Sequence, residues 1–370
     1  MIKGCDKLAE ISELRKKRFA ALSKAQSILR KYTSSKAFKS LKSCFNYTIG
    51  GEVTIHKSRE HNKAFYGNVS TCSSVWGCPV CSAKIQARRG QEIVKAIKYA
   101  YSHGLKVVMF TFTHPHNKSH GLEDCISMHN FALRRLRAGK AWQKFKDRIG
   151  YQGLIRSNEV TYGANGWHWH CHELWFVRAD LDILKEIDFI KDKWYKSCKD
   201  AGFTISDIEA FFEHSIDVID NAKSSDYMAK SGASWGADKE LTGGASKKGA
   251  GRNPFDFLVS DDKKDELLFM EYVKATKGKC QMFWSPGLKD KVGIANKTDE
   301  ELNKEETDTA DIVARLNDEA WKTVLNNCAR AELLSIAEDR GFQGVFEWFA
   351  DYGIMLKPPN DCECINYQYE

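Results

Sequence analysis

Long apolar runs are missing from this chain. No stretch of its 370 residues approaches the roughly 20 consecutive apolar residues that cross a bilayer as a helix, so a helical membrane protein is excluded. The N-terminus is basic and helical in pattern, yet it lacks the apolar core and small-residue cleavage site of a secretion signal. A cytoplasmic location is therefore expected. No internal repeat is present, so no repeat architecture is expected. A disulfide framework is not expected either, because twelve cysteines in a chain of that location point to metal binding or reduced thiols. What the chain does have is 42% hydrophobic residues, enough for a sizeable core, and length for two or three compact units.

The formal charge of +7 hides an asymmetry. From Asp299 to Glu370 there are 17 acidic and 6 basic residues, a balance of −11, which leaves +18 for residues 1–298. A body that basic attracts polyanions, of which nucleic acid is the commonest. Residues 5–43 read as one or two basic helices, either a solvated face or a nucleic-acid arm.

The chemistry-bearing stretch is Glu159 to Leu174. Asn165-Gly166 between β-prone flanks signals a tight hairpin. On its second strand His168, His170 and His172 alternate and so share one face. If the turn centres on Ala164-Asn165, Glu159 lies opposite His170, with Cβ atoms roughly 5 Å apart. A carboxylate and two or three imidazoles then converge, a donor set suited to a divalent cation in an open site.

Cys72, Cys78 and Cys81 form a second cluster, with Pro79-Val80 inside the C-x-x-C pair. The spacing suggests structural tetrahedral zinc, with a redox pair as the alternative. The fourth ligand has to come from Cys44, His56 or His61, with Cys44 favoured. Its work would be to hold the segment Phe45–Ala83, which has little apolar periodicity of its own.

Farther along, Val107–Thr113 reads as a buried strand, 122–148 as helix, 153–162 and 167–177 as the hairpin, 181–201 as helix and Ser215–Ile219 as strand. The order β-α-β-β-α-β predicts an α+β protein of ferredoxin-like arrangement, an antiparallel sheet with helices on one face. The histidine strand is internal, beside Thr111-Phe112-Thr113. A short helix near 222–231 places Tyr227 and Lys230 on one face. The Gly/Ser/Lys-rich loop that follows carries Lys239, Lys247, Lys248 and Arg252, a composition able to close over a phosphate backbone. A strand is expected at 279–288, and two amphipathic helices at about 309–326 and 330–340.

A Thr-Phe-Thr strand, a His-x-His strand and a Tyr-x-x-Lys helix, in that order, resemble the three motifs of the HUH endonuclease superfamily. The likeness is nearest to the rolling-circle replication initiators of small plasmids and phages. The family's Gly-Trp-His-x-His-x-His is similar to Gly166–His172 here, with Trp169 where proline is frequent and Cys171 in place of a bulkier apolar residue. Trp284-Ser285-Pro286-Gly287-Leu288 also resembles a family segment. The resemblance covers roughly residues 40–300. It implies His170 and His172 as the metal pair with Glu159, Mg²⁺ or Mn²⁺ as the cation, and Tyr227 as nucleophile assisted by Lys230. The implied product is a 5′-phosphotyrosyl link with a free 3′-hydroxyl, made on single-stranded or extruded origin DNA and handed to a host helicase and polymerase. Tyr272, Asp226 and Asp220 are candidates for the step that closes the cycle. On this reading the chain divides into a basic helical arm (1–43), a zinc-binding cysteine segment and helix (44–100), the catalytic domain (101–298) and an acidic helical region (299–370). A transposase or mobilisation relaxase on the same fold, and a zinc-dependent nucleic-acid-binding regulator without catalysis, are the alternatives.

Overall fold

In the computed structural model the described residues are 3–223, 251–304 and 310–359, with side chains from residue 12 onward. Their strands are β1 Glu52–Ser58, β2 Ala64–Gly67, β3 Leu105–Phe112, β4 Gly153–Gly163, β5 Gly166–Arg178, β6 Ile216–Ile219, β7 Met282–Trp284 and β8 Ala310–Asn317. Two antiparallel sheets result, in the orders β2-β1-β8 and β6-β3-β5-β4-β7. The protein is α+β. It divides into two units, one of Met1–Ser74, Cys78–Cys81 and Asp299–Glu370, the other of Val75–Gly77 and Ser82–Thr298.

The second unit is built around β5. Its residues are buried along nearly the whole strand, because β3 and β4 flank it and both faces are covered. On one face Phe110, Phe112 and Trp175 meet Leu133, Trp142, Phe145 and Trp194 of the helices Leu122–Leu136, Gly139–Arg148 and Ile187–Asp200. On the other, Val107, Met109, Leu174 and Phe176 meet Ile93, Ala96, Ile97 and Ala100 of the helix Pro79–Ser102. Those four helical positions are a three-and-four-spaced stripe, the spacing of one buried helix side. Each large side chain buried this way contributes roughly 1.5–3 kcal/mol. The expectation of helices on one face alone is thus corrected. The stripe at 93–100 is apolar enough to demand a partner, and the open side of the sheet supplies it.

Elsewhere β3, β4, β5 and β6 follow in the chain order β-α-β-β-α-β, and β7 adds a short edge strand beside β4. Within the helical face sits one charged residue. Glu173 is fully buried and accepts from Arg156 Nε at 2.6 Å, from Trp175 Nε1 at 2.7 Å and from Arg137. Burial alone would raise its pKa, but the guanidiniums of Arg137 and Arg156 hold it below the ordinary carboxylate value.

In the first unit β1 pairs with β2 and, over Glu52–Ser58, with β8. Residues 310–317 were expected to begin a helix. They form a strand because Val313, Ala314 and Leu316 turn inward while Asp311 and Arg315 stay outside, and β1 offers a free edge. The helix Lys3–Tyr32 buries Leu22, Ala25 and Leu29, and its Arg15 pairs with Glu338 at 2.5 Å. The segments 1–43 and 299–370 therefore fall in one unit. The helix Arg330–Ala350 runs past the expected end at 340 with a break at Gly341, whose φ is 60°.

Glu173→Ala strands two partly buried guanidiniums, a change that typically costs about 3–5 kcal/mol. The variant is expected to unfold at a markedly lower urea concentration than the wild type, and an unchanged midpoint would show the cluster to be energetically idle.

Candidate metal centres

The hairpin β4–β5 closes as Gly163↔Gly166, so Ala164 and Asn165 are its two turn residues. Gly166 has a φ of 87°, and a Cβ there would meet Lys118 Cα at 3.1 Å; only glycine adopts that backbone without strain. The closure fixes the register Ser157↔His172, Glu159↔His170 and Thr161↔His168. One carboxylate oxygen, Glu159 Oε2, consequently lies 3.0 Å from His172 Nε2 and 3.3 Å from His170 Nε2. All three residues are buried, and their ligand atoms lie within 4.8 Å of one another.

β3 supports the cluster from the other side. Thr111 pairs with His172 across the strands, and its Oγ1 lies 2.9 Å from His172 Nδ1. Such an outer contact fixes the imidazole with Nε2 toward the centre. Burial would raise the Glu159 carboxyl, yet the imidazoles of His170 and His172 hold it well below the usual carboxylate range. An ionised carboxylate facing two ring nitrogens is a donor set for a small divalent cation. His170 Nδ1 is buried with no partner among the described residues, so its second nitrogen is free of competing ties. The residues fit a cation.

His168 stands outside the cluster. It is two residues farther along β5, and consecutive same-face positions lie roughly 7 Å apart. Its ring instead stacks between His170 at 4.6 Å and His116 at 4.7 Å. Burial, then the neighbouring His170 and His116, lower its pKa to about 2. The expectation of His168 as a fourth ligand is corrected to that of a neutral stacking neighbour. His114 and His129 went unnoticed in the sequence. They are buried with ring centroids 5.1 Å apart, and burial drives the pKa of each well down.

The first unit holds the second centre. Cys44 Sγ lies 3.7 Å from Cys78 Sγ and 3.6 Å from Cys81 Sγ, and Cys72 Sγ lies 3.8 Å from Cys81 Sγ. Four sulfurs around a tetrahedral zinc, with Zn–S about 2.3 Å, would sit about 3.8 Å apart. Backbone N–H groups of Cys72 and Cys81 donate to Cys44 and Cys78 at 3.3 and 3.4 Å, and Asn303 Nδ2 to Cys81 at 3.6 Å. Burial and the adjacent sulfurs push the Cys78 thiol well up, whereas hydrogen bonds from Cys44, Cys72 and Cys78 pull Cys81 well down. Crowded thiols of this kind ionise together only when a cation shares their charge. Of the three candidates for the fourth position, Cys44 is the one in place. His56 lies 2.8 Å from Thr54 Oγ1 and stacks on Phe65, and His61 is exposed.

Tyr227, Lys230, Asp226, Lys239, Lys247 and Lys248 lie outside the described residues. Arg252 is described, and its guanidinium is engaged twice by Asp265, at 2.8 and 2.6 Å. The phosphate contact expected of it is corrected to an internal ion pair, because Asp265 at the start of the helix Lys263–Thr276 meets the charge first. Tyr272 is buried and its hydroxyl donates to Trp76 O at 2.8 Å. Asp220 pairs with Lys106 at 2.8 Å. No helix among the described residues is long and apolar enough to cross a membrane.

Comparison with known proteins adds to this geometry. The family model described as replication protein matches residues 63–327, more than half of the chain. The protein rep of Streptomyces lividans is 32% identical over 133 residues, 29% of each chain. The neomycin resistance protein of Streptomyces cyanogenus is 32% identical over 131 residues, 29% of this chain and 30% of that one. The chain thus matches less than a third of the length of either relative. No solved structure matches.

The purified protein is expected to carry one tightly held zinc, distinct from any cation at Glu159 and contributing on the order of 10 kcal/mol to folding. Cys78→Ser should yield insoluble or protease-sensitive protein, while His170→Ala stays folded. Metal content by mass spectrometry checks this, and folded protein without zinc would return the cysteines to plain thiols.

Proposed function

The chain belongs to the replication-protein family, and on that footing we propose that it is a plasmid-type replication initiator that nicks and rejoins single-stranded origin DNA through a tyrosyl–phosphate link. One observation carries the reading: Glu159, His170 and His172 converge on one face of a hairpin whose strand β5 is held between two others. The order β6-β3-β5-β4, with helices in both crossovers, supports treating the second unit as the HUH form of the ferredoxin-like sheet. The Cys44, Cys72, Cys78 and Cys81 set supports a structural zinc beside it.

In this reading Tyr227 is the nucleophile. Its oxygen attacks phosphorus, the bond from phosphorus to the 3′-oxygen breaks, and the strand leaves with a free 3′-hydroxyl while the 5′-phosphate stays on the tyrosine. A free phenol has a pKa near 10, so only about one in a thousand is ionised at neutral pH. Lys230, one helical turn on, favours the phenolate or steadies charge growing on the phosphate. A divalent cation held by Glu159, His170 and His172, Mg²⁺ or Mn²⁺ by the hardness of the donors, would supply Lewis-acid polarisation of the phosphate. Thr111 keeps the His172 ring turned toward that position. One phosphoester replaces another, so the energy of the cut bond is retained for rejoining. The lysines of 239–248 would close on the DNA backbone. The 3′-hydroxyl would prime a host polymerase, with a host helicase opening the duplex in the cytoplasm.

Incubation with single-stranded plasmid-origin DNA and Mn²⁺ tests the scheme. A covalent protein–DNA band on a denaturing gel is expected. Tyr227→Phe should abolish that band and leave DNA binding nearly unchanged, since only a hydroxyl is lost. His170→Ala or His172→Ala should abolish it as well, and Glu159→Ala should weaken it about tenfold or more. His168→Ala should do less. A full-strength band from Tyr227→Phe would move the nucleophile elsewhere, and a reversible gel shift with no covalent band from the wild type would favour a binding protein without catalysis.

A further inference from the structure

The edge of β4 has a gap one residue pair wide. Asn158 N donates to Gln281 O at 2.8 Å, and four residues on Tyr162 exchanges both backbone hydrogen bonds with Arg252 at 2.8 Å. Antiparallel alternation puts the Val160 N–H and C=O on that same outward edge. No described residue pairs with them there. An open cleft of about 300 Å³ lies at this place, walled by Trp76, Phe255 and Tyr272, with Gln86 and Asn158 at its side.

Two amide oxygens there lack partners. Asn158 is 7% exposed, and its Oδ1 is buried and unbonded while its Nδ2 donates to Cys280 O at 2.9 Å. Gln86 Oε1 is likewise buried and unbonded, with its Nε2 tied to Ser82 Oγ at 2.9 Å. Because the donor end of each amide is anchored, the acceptor ends cannot be exchanged by flipping. A buried acceptor left unmade costs about 1–3 kcal/mol, and such groups in a native structure call for a ligand or a water. Water would satisfy either oxygen. It would not account for the aromatic walls, which are fixed in advance: Trp76 Nε1 donates to Lys279 O at 2.8 Å, its ring lies 5.5 Å from Trp169, and Tyr272 holds its carbonyl.

We propose that this cleft binds one unstacked base of the DNA strand, of the adenine or cytosine type. Single-stranded nucleic acid is recognised by bases splayed onto aromatic rings and read at their hydrogen-bonding edges. Adenine and cytosine each place an exocyclic amine next to a ring-nitrogen acceptor. The Val160 C=O and N–H complement that pair, and the oxygens of Asn158 and Gln86 take the remaining amine hydrogen. Thymine has no amine and leaves these oxygens unmatched. Glu159 lines the cleft through its place on β4 and belongs to the candidate metal centre through its side chain. The base read here is therefore close along the strand to the phosphate that would be cut. The inference rests on the single-stranded-DNA reading above.

Fluorescence anisotropy with fluorescein-labelled dA, dC and dT 12-mers decides it, using the full chain. The wild type is expected to bind dA12 or dC12 about tenfold more tightly than dT12, within the range a good base contact provides. Binding through charge alone shows no such preference, and stacking alone leans toward flexible pyrimidine runs. Gln86→Leu, at a half-exposed helix position, should lose most of the preference by weakening dA12 and dC12, and Asn158→Leu should do the same if it folds. Equal binding of all three by the wild type, or an undiminished preference in Gln86→Leu, would overturn the base pocket and leave the initiator reading standing. Failure to bind any 12-mer at low salt would overturn the reading on which it rests.

Discussion

Pairing between β4 and β5 is the constraint on which the candidate catalytic centre depends. A slip of one residue in that register would send Glu159, or His170 and His172, to the opposite face. Several features resist the slip at once. Gly166 closes a two-residue turn at a φ of 87°, Phe110 and Trp175 lock the helical face with ring centroids 4.3 Å apart, and Glu173 is held by two arginines. The same alternation that turns Trp175 inward among the helices turns His172 toward Thr111 and Glu159. Packing on one face therefore positions chemistry on the other.

The two centres differ in the donors that their backbones can bring together. A hairpin offers alternate residues of two strands, which suits a carboxylate opposite an imidazole and yields a small three-ligand set with open positions. The cysteine centre gathers thiols from a helix end at Cys44, a loop at Cys72 and the first turn of the helix Pro79–Ser102. Soft thiolates and hard oxygen and imidazole donors select different cations, so each centre can be loaded without competing for the metal of the other. Thiolates at a helix N-terminus also gain from its partial positive charge.

Strand edges carry the remaining opportunities. β1 is covered on both sides by β2 and β8, which removes an exposed edge from the first unit. β4 is covered by β7 over Ile155–Ser157 and touched again by Arg252 at Tyr162. The interval between them, at Val160, is where backbone polarity remains available beside aromatic side chains.

Local pattern was enough for several features. Alternating histidines and the Asn165-Gly166 turn place Glu159 opposite His170, and the spacing Cys72, Cys78, Cys81 marks a ligand set. The β-branched run Val107–Phe112 declares a buried strand next to the histidine strand. These follow from sequence because a strand's faces and a tight turn are properties of a few adjacent residues. Other features required the folded chain. β8 was read as helix because nothing in Ala310–Asn317 names β1 as its partner more than 250 residues earlier. Cys44 prevails over His56 and His61 only through where the helix Lys39–Ser43 ends. His168, identical in pattern to His170, is excluded by distance along the strand and by the His116 ring that takes it up. Arg252 looked like a free cation until Asp265 was seen to engage it. In each case the deciding partner is remote in sequence, and periodicity records which side a residue faces but not what it meets there.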